Sequence, residues 1–166
     1  MYTDELRTPI ASFITFRTYG TWLHGDARGS VDRENNTYGM PRVPCNPPRL
    51  AFEEQQLAGS PVFLGPARRA AVRQAILGTF EAREWLLHAL NVRTNHVHVV
   101  GVFDIAPRRA VTELKARATC TMRADGCWLE ARSPWARGGS ARWIWTPKQL
   151  GRVIEYVVSG QGPALD

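Results

Sequence analysis

The sequence predicts an α+β domain in which an antiparallel sheet carries helices on one face, with a further helix at the C-terminal end. Three observations lead there. Short runs rich in β-branched and aromatic residues alternate with longer runs whose apolar residues recur at a 3.6-residue period. Two of the strand-like runs are separated by only three residues, the spacing of a hairpin. Gly, Pro, Asn and Asp crowd into one long segment that fits neither pattern.

Residues 11–23, ASFITFRTYGTWL, combine β-branched and aromatic side chains in partial alternation and read as a first strand running into a turn or bulge at Gly20. Residues 24–66 then form an irregular insertion, a kind of excursion that in a compact domain is functional or mobile; a short helical piece fits AFEEQQLAG within it. Pro66 suits an early helical position, and Ala71, Val72, Ala75, Ile76 and Phe80 keep helical spacing through PARRAAVRQAILGTFEAREW. WLLHALNVR and HVHVVGVF are two extended runs joined by Arg93, Thr94 and Asn95, which makes their pairing antiparallel. A second long helix follows through Ala110, Val111, Leu114, Ala118 and Met122, stopping at Gly126. A Trp/Gly/Arg-rich stretch leads to a short strand around Trp143 to Trp145, and Thr146 caps a last helix that begins at Pro147. The order strand, helix, strand, strand, helix, strand, helix is the split β-α-β, ferredoxin-like pattern plus a terminal helix. No repeat or low-complexity segment interrupts it, and residues 1–166 are read as one domain.

A chain of 166 residues buries roughly 70% of the surface its unfolded form exposes, enough for a core without staples. Its 44% hydrophobic and 22% charged residues lie far from the disordered regime. Lys plus Arg outnumber Asp plus Glu by 21 to 15, for a net charge of +6 and a pI near 9.8. That balance favours a polyanionic partner or an acidic membrane surface, although an arginine-rich proteome produces the same excess. Most of the charge is arginine, whose planar fork matches phosphate oxygens in pairs, whereas Lys115 and Lys148 act as point charges. Cys45, Cys120 and Cys127 form an odd set without C-x-x-C spacing, which points to a reduced, cytoplasmic setting rather than a disulfide framework or zinc knuckle. No run approaches the ~18 apolar residues of a membrane span and no signal-peptide pattern opens the chain, so neither secretion nor membrane insertion is expected.

The sharpest chemical signal is Asn95-His96-Val97-His98. On a strand, His96 and His98 point to one face and Val97 to the other, so two imidazoles can share one divalent cation; a half-buried strand with two outward histidines gives the same letters. Tyr156 is the second candidate. At about 100° per residue, Leu150, Val153, Ile154, Val157 and Val158 form an apolar stripe and Tyr156 falls roughly 130° from its centre, free to present its hydroxyl to a groove beside Gln149 and Arg152, or to be an ordinary surface tyrosine. Tyr2, Tyr19 and Tyr38 fit less well, one being terminal and two lying in turn-rich regions. Together the pieces suggest a mechanism: a cation on His96 and His98 polarises a phosphodiester while Tyr156 attacks phosphorus and preserves the bond energy in a phosphotyrosine. Arginines supply backbone affinity, and exposed tryptophans can stack on unpaired bases, though the sequence alone does not say which are exposed.

These residues resemble a family. N-H-V-H-V-V on a strand after a long helix, E-L-K in a later helix, a terminal R-V-I-E-Y-V helix and the F-R-T-Y-G-T-W-L-H-G-D opening from Phe16 to Asp26 are similar to the HUH single-tyrosine transposases, in particular the REP-associated tyrosine transposases. The likeness runs over nearly the whole chain. It implies a ferredoxin-like catalytic core using Mg²⁺ or Mn²⁺, and cleavage of single-stranded DNA near imperfect hairpins to leave a 5′-phosphotyrosine and a free 3′-hydroxyl. It also implies a bacterial, nucleoid-associated protein acting as monomer or homodimer. Carried over by motif, His96 and His98 are metal ligands and Tyr156 the nucleophile. The family often adds a Gln or Asn four residues after the tyrosine; that position here is Gly160, and Gln161, just beyond the helix end, is the expected third ligand. Lys115, Arg17, Arg93 and Arg152 are expected at nucleic-acid phosphates, while His24 and Asp26 either approach the metal and DNA groove or form a capped turn.

Three other readings share these residues. A domesticated binder of hairpin DNA or structured RNA would keep the fold without cleaving. A structural zinc site lacks a nearby Cys or His pair to complete four ligands. A hydrolase using metal-activated water would tolerate Tyr156→Phe.

Overall fold

The computed structural model describes residues 8–27 and 43–165. Ala11–Arg17 forms strand β1, Pro47–Gln55 helix α1, Pro66–Ala82 helix α2, Leu86–Val92 strand β2, His96–Val102 strand β3, Pro107–Ala124 helix α3, Ser140–Ile144 strand β4 and Pro147–Ser159 helix α4. The sheet order is β2-β3-β1-β4 and every neighbouring pair is antiparallel. Two crossovers, β1-α2-β2 and β3-α3-β4, interlock in that order, so the chain adopts the ferredoxin-like topology expected from its sequence.

Both long helices cover one face of the sheet. Val72, Ile76 and Phe80 of α2 and Ala110, Leu114, Ala118 and Met122 of α3 pack on Ile14 and Phe16 of β1 and Val97 and Val99 of β3. Gly101 follows the same alternation, and a Cβ there would stand 2.7 Å from Phe80 Cε1 and 2.9 Å from the Leu86 carbonyl, so its missing side chain sets how closely α2 approaches. The fourth helix takes the opposite face: Val153 and Val157 bury against Ala11, Phe13, Ala89, Val100 and Ile144. The added C-terminal helix thus covers the face that α2 and α3 leave open. This explains why alternation along ASFITFR is only partial, since a strand covered on both sides has no wet face to mark with polar residues.

Strand β1 stops at Arg17, and the segment after it turns about Gly20 (φ +71°) against Pro61. At the other end, Thr146 Oγ1 accepts the Gln149 N–H at 3.2 Å ahead of Pro147, the cap and start expected for α4. β4 lies slightly earlier than its aromatic letters suggest, leaving Trp145 outside it. In the insertion, α1 is capped by Asn46 and buries no residue, while Val62 and Leu64 return to the core with their amides bonded to Tyr19 O at 2.8 Å and Thr94 O at 2.6 Å. Residues 28–42 of the insertion, with Tyr38, and the N-terminal Tyr2 lie outside the described residues. Among the described residues no helix is long and apolar enough to cross a membrane.

Candidate functional site

Alternation along β3 sends His96, His98 and Val100 to the face covered by α4. His98 is only 3% exposed and His96, nearer the sheet end, is half-buried; their ring centroids lie 4.6 Å apart. A buried imidazole needs a partner at each nitrogen. His98 Nδ1 is 2.8 Å from Oγ1 of Thr15, its cross-strand neighbour on β1, and His98 Nε2 is 3.2 Å from Gln161 Oε1. His96 repeats the arrangement, with Nδ1 2.7 Å from Asn95 Oδ1 and Nε2 3.2 Å from the same Gln161 Oε1. Gln161 follows Gly160, the cap of α4, and its Nε2 donates to the Tyr156 carbonyl at 3.2 Å. That bond orients the carboxamide with its oxygen toward both rings.

The hydrogen-bond chemistry of this cluster suits a cation. With Asn95 Oδ1 as acceptor, His96 Nδ1 carries the proton and Nε2 turns a lone pair toward Gln161 Oε1, itself an acceptor. Thr15 can accept from His98 Nδ1 in the same way, which opens a second imidazole lone pair to the same point. An ion about 2.1 Å from each ligand keeps adjacent ligand atoms roughly 3.0 to 3.4 Å apart, from octahedral to tetrahedral geometry. Both imidazole-to-carboxamide separations, at 3.2 Å, fall in that window. Among the described residues no three His, Cys, Asp or Glu side chains gather to hold a metal; a cation at this point would meet two imidazoles and a carboxamide.

Tyr156 stands beside this cluster. Its ring centroid is 5.6 Å from that of His98 and 6.2 Å from that of Phe13, and the ring is half-buried at the margin of the apolar cluster under α4. The helical angle alone put it clear of the core; Phe13 and His98 reach the flank of the helix and pack against it. Arg152, Glu155, Tyr156, Ser159 and Gly160 line an open cleft of about 400 Å³ at that point. Tyr19, a competing tyrosine, instead accepts the Ala58 N–H on its hydroxyl.

The four expected phosphate contacts divide. Arg152 lies exposed in the tyrosine cleft. Arg17 donates to the Trp22 carbonyl, and burial lowers its pKa against the opposing pull of Glu53. Arg93 donates to Pro163 O at 2.7 Å, fastening the segment that carries Gln161. Lys115 donates to the carbonyls of Ala136 and Gly138, and burial, helped by the charge of Arg17, brings its pKa down to about 8. Arg17 and Arg93 each give a hydrogen bond to the backbone beside the site, and Arg93 stays partly exposed there. His24 and Asp26 belong to a turn: the His24 amide donates to Glu53 Oε2 at 3.0 Å and the Asp26 amide to Leu23 O at 3.2 Å.

Sequence reasoning missed the residues that orient the histidines. Thr15 holds one ring and Asn95 the other, and Asn95 is in turn held by the turn after β1: Thr18 N, Thr18 Oγ1 and Thr21 Oγ1 lie 2.9, 3.1 and 3.3 Å from its carbonyl. Trp22, at φ +50°, sets its ring edgewise on His96 with centroids 5.4 Å apart. A non-glycine residue held in that region costs of order 1–3 kcal/mol and persists only where its surroundings over-determine it; the Arg17 bond to the Trp22 carbonyl is one such restraint. The T-Y-G-T-W letters thus encode a clamp on Asn95 and His96. The Asn95 signal was adjacency to His96, whereas Thr15 becomes visible only once the β1–β3 register is known.

No protein-family model matches the chain, and no curated protein matches it. Among solved structures it is similar to a REP-associated tyrosine transposase bound to a REP hairpin, with 15% identity and a TM-score of 0.48, covering 94% of this chain and 70% of that one.

Proposed function

We propose that the chain is a metal-dependent single-stranded DNA endonuclease and strand transferase acting at hairpin-associated sites, with His96, His98 and Gln161 as ligands of Mg²⁺ or Mn²⁺ and Tyr156 as nucleophile. One observation carries the reading. Two imidazole nitrogens converge on one carboxamide oxygen whose own N–H is fixed by the Tyr156 backbone, so donor set and tyrosine are built as one unit from distant parts of the chain.

A divalent ion bound there supplies Lewis-acid polarisation of the scissile phosphate and offsets its charge. Tyr156 Oη attacks phosphorus and forms the new O–P bond, its phenol proton passing to solvent. The bond from phosphorus to the 3′-oxygen breaks, and that oxygen takes up a proton and leaves as a 3′-hydroxyl. One phosphoester is exchanged for another, so a 3′-hydroxyl can reverse the step or join a different strand. Thr15 and Asn95 hold the imidazole protons on Nδ1, which keeps both Nε2 lone pairs available. Arg152, in the same cleft as the tyrosine, meets the phosphate backbone, and the net charge of +6 draws the polyanion to the protein.

The test is incubation with a labelled pool of single-stranded hairpin DNA and Mn²⁺, with EDTA and Tyr156→Phe controls, read on a denaturing gel. A protein-linked DNA band that needs both metal and Tyr156 supports the proposal. Cleavage without the band would assign the attack to water, and tight binding without either product would make the chain a non-cleaving binder.

A further inference from the structure

The six tryptophans differ in exposure, with Trp22 partly buried against His96. Trp85, Trp128 and Trp135 are buried, whereas Trp143 and Trp145 are 52% and 42% exposed. A half-exposed indole leaves a large apolar face in water, and tryptophan is enriched at interfaces, where its ring packs and its N–H stays wet. Trp143 lies on β4, which has a strand neighbour on one side only. It pairs with Ser12 and alternates with Ala141, which packs into the core beneath α2 and α3. Trp143 therefore belongs to the α3 face at an open sheet edge, the face opposite the histidines.

On that face, a cavity of about 470 Å³ runs between α3 and the chain leading into β4. Arg108, Thr112, Lys115 and Thr119 line it at spacings of four, three and four residues, the stripe that one side of a helix presents. Ser133 faces them, and among the described residues no carboxylate lines the cavity. The Arg108 guanidinium is exposed and makes no ion pair among the described residues. Lys115 is anchored by the Ala136 and Gly138 carbonyls, which leaves one of its three N–H groups for an incoming acceptor. Seven residues of helix separate the two cations by roughly 10 Å, the reach of about three stacked nucleotides at ~3.4 Å each.

We propose that this groove is a second contact for unpaired DNA, with backbone phosphates against Arg108 and Lys115, the Ser133 hydroxyl donating to the sugar-phosphate chain, and a base stacked on Trp143. Trp143 lies on the same face of the sheet as this cationic groove, outside its lining; cations for the backbone together with an exposed indole for a base hold single strands, because stacking requires a base whose face is free and a duplex offers none along its length. The proposal rests on reading the chain as an enzyme of single-stranded DNA and adds a site away from the metal. A strand held by both sites passes around the edge of β4.

The experiment measures binding of a fluorescein-labelled oligothymidylate by anisotropy, with tryptophan quenching as a second signal, for wild type, Trp143→Ala, Trp143→Phe and Arg108→Ala. Both positions are exposed, and thermal melts verify that the variants fold. Trp143→Ala is expected to weaken binding about ten-fold and to reduce the quench, with Trp143→Phe restoring most of the affinity. Arg108→Ala is expected to lower the slope of log affinity against log salt by about 0.7, the value for one phosphate on a single strand. Unchanged affinity in Trp143→Ala and Arg108→Ala, alongside a Tyr156 adduct, would overturn the groove and leave the catalytic reading intact. Equal binding of a blunt duplex or of RNA would overturn its assignment to unpaired DNA. Failure of the wild type to bind oligothymidylate would overturn the groove, while the hairpin adduct assay with Tyr156→Phe decides the catalytic reading separately.

Discussion

Thr15→Val tests the metal centre without touching a proposed ligand. Valine keeps the shape of threonine and loses only the hydroxyl that lies 2.8 Å from His98 Nδ1. Metal binding through Nε2 requires the proton on Nδ1, and at 3% exposure His98 has no ready access to replacement water. An unpaired buried N–H costs about 1–3 kcal/mol, equivalent to roughly 5- to 140-fold in affinity; loss of an outer partner typically weakens metal binding about 10- to 100-fold. The metal-free protein also loses a bond, although its imidazole can move the proton to Nε2 and donate to Gln161, so the difference falls toward the lower end. A ten-fold weaker Mn²⁺ affinity by titration calorimetry is expected, with the stabilisation at saturating metal reduced by about 1.4 kcal/mol in thermal melts. Thr15→Ser, which keeps the hydroxyl, is expected to bind close to wild type. A Thr15→Val protein that folds normally and binds Mn²⁺ within two-fold of wild type would refute the claim that Thr15 prepares His98 as a ligand.

Asn95→Ala removes the partner of His96 Nδ1 and is expected to slow adduct formation about ten-fold while leaving oligonucleotide affinity unchanged, as separate gel and anisotropy measurements will show. Gly101→Ala drives a methyl to 2.7 Å from Phe80 and 2.9 Å from a backbone carbonyl, and urea unfolding is expected to show a loss of about 1–3 kcal/mol, the usual cost of overpacking. For Lys115, the folded pKa of about 8 lies below the ordinary lysine value of 10.5, so between those values the unfolded chain binds more protons and stability rises with pH. Below pH 8 both states are protonated and the cost of the buried charge is fully present. The difference in unfolding free energy between wild type and Lys115→Met, followed from pH 7.5 to 10.5, is expected to move in favour of wild type as pH rises; a flat difference would contradict the cause assigned to the shift.

Much of the fold was legible because each long element carries its own periodicity: Val72, Ile76 and Phe80, or Ala110, Leu114 and Ala118, mark a helix and its buried side together. The hairpin at Arg93–Asn95 was equally local. What local patterns do not encode is the face each element covers. The apolar stripe of α4 is a clear signal, but nothing in it says that α4 sits opposite α2 and α3, or that Phe13 and His98 meet the flank bearing Tyr156. Gln161 came only from the family resemblance, one residue past the position it implies, whereas His96 and His98 were nameable from H-x-H alternation. Their supports were not, because Thr15 acts across a register and Arg17 through a turn. Arginine and lysine were the least legible side chains: the same letters serve as restraints at Arg17 and Arg93, line the tyrosine cleft at Arg152 and line the α3 groove at Arg108.

The position of α4 also makes the site cooperative. Among the described residues it is the helix that covers the histidine face, held by a small apolar cluster, by the Asn91 side-chain bond to Val157 O at 2.8 Å, and by the contacts of Gln161. Tyr156 and Gln161 ride on the same piece of chain. A fluctuation that lifts the end of α4 therefore withdraws the attacking group and a ligand in one movement, leaving two histidines that hold a cation weakly. On the proposed reading, partial opening turns the centre off rather than leaving it loosely active, and an enzyme that cuts DNA would gain from having no half-assembled reactive state.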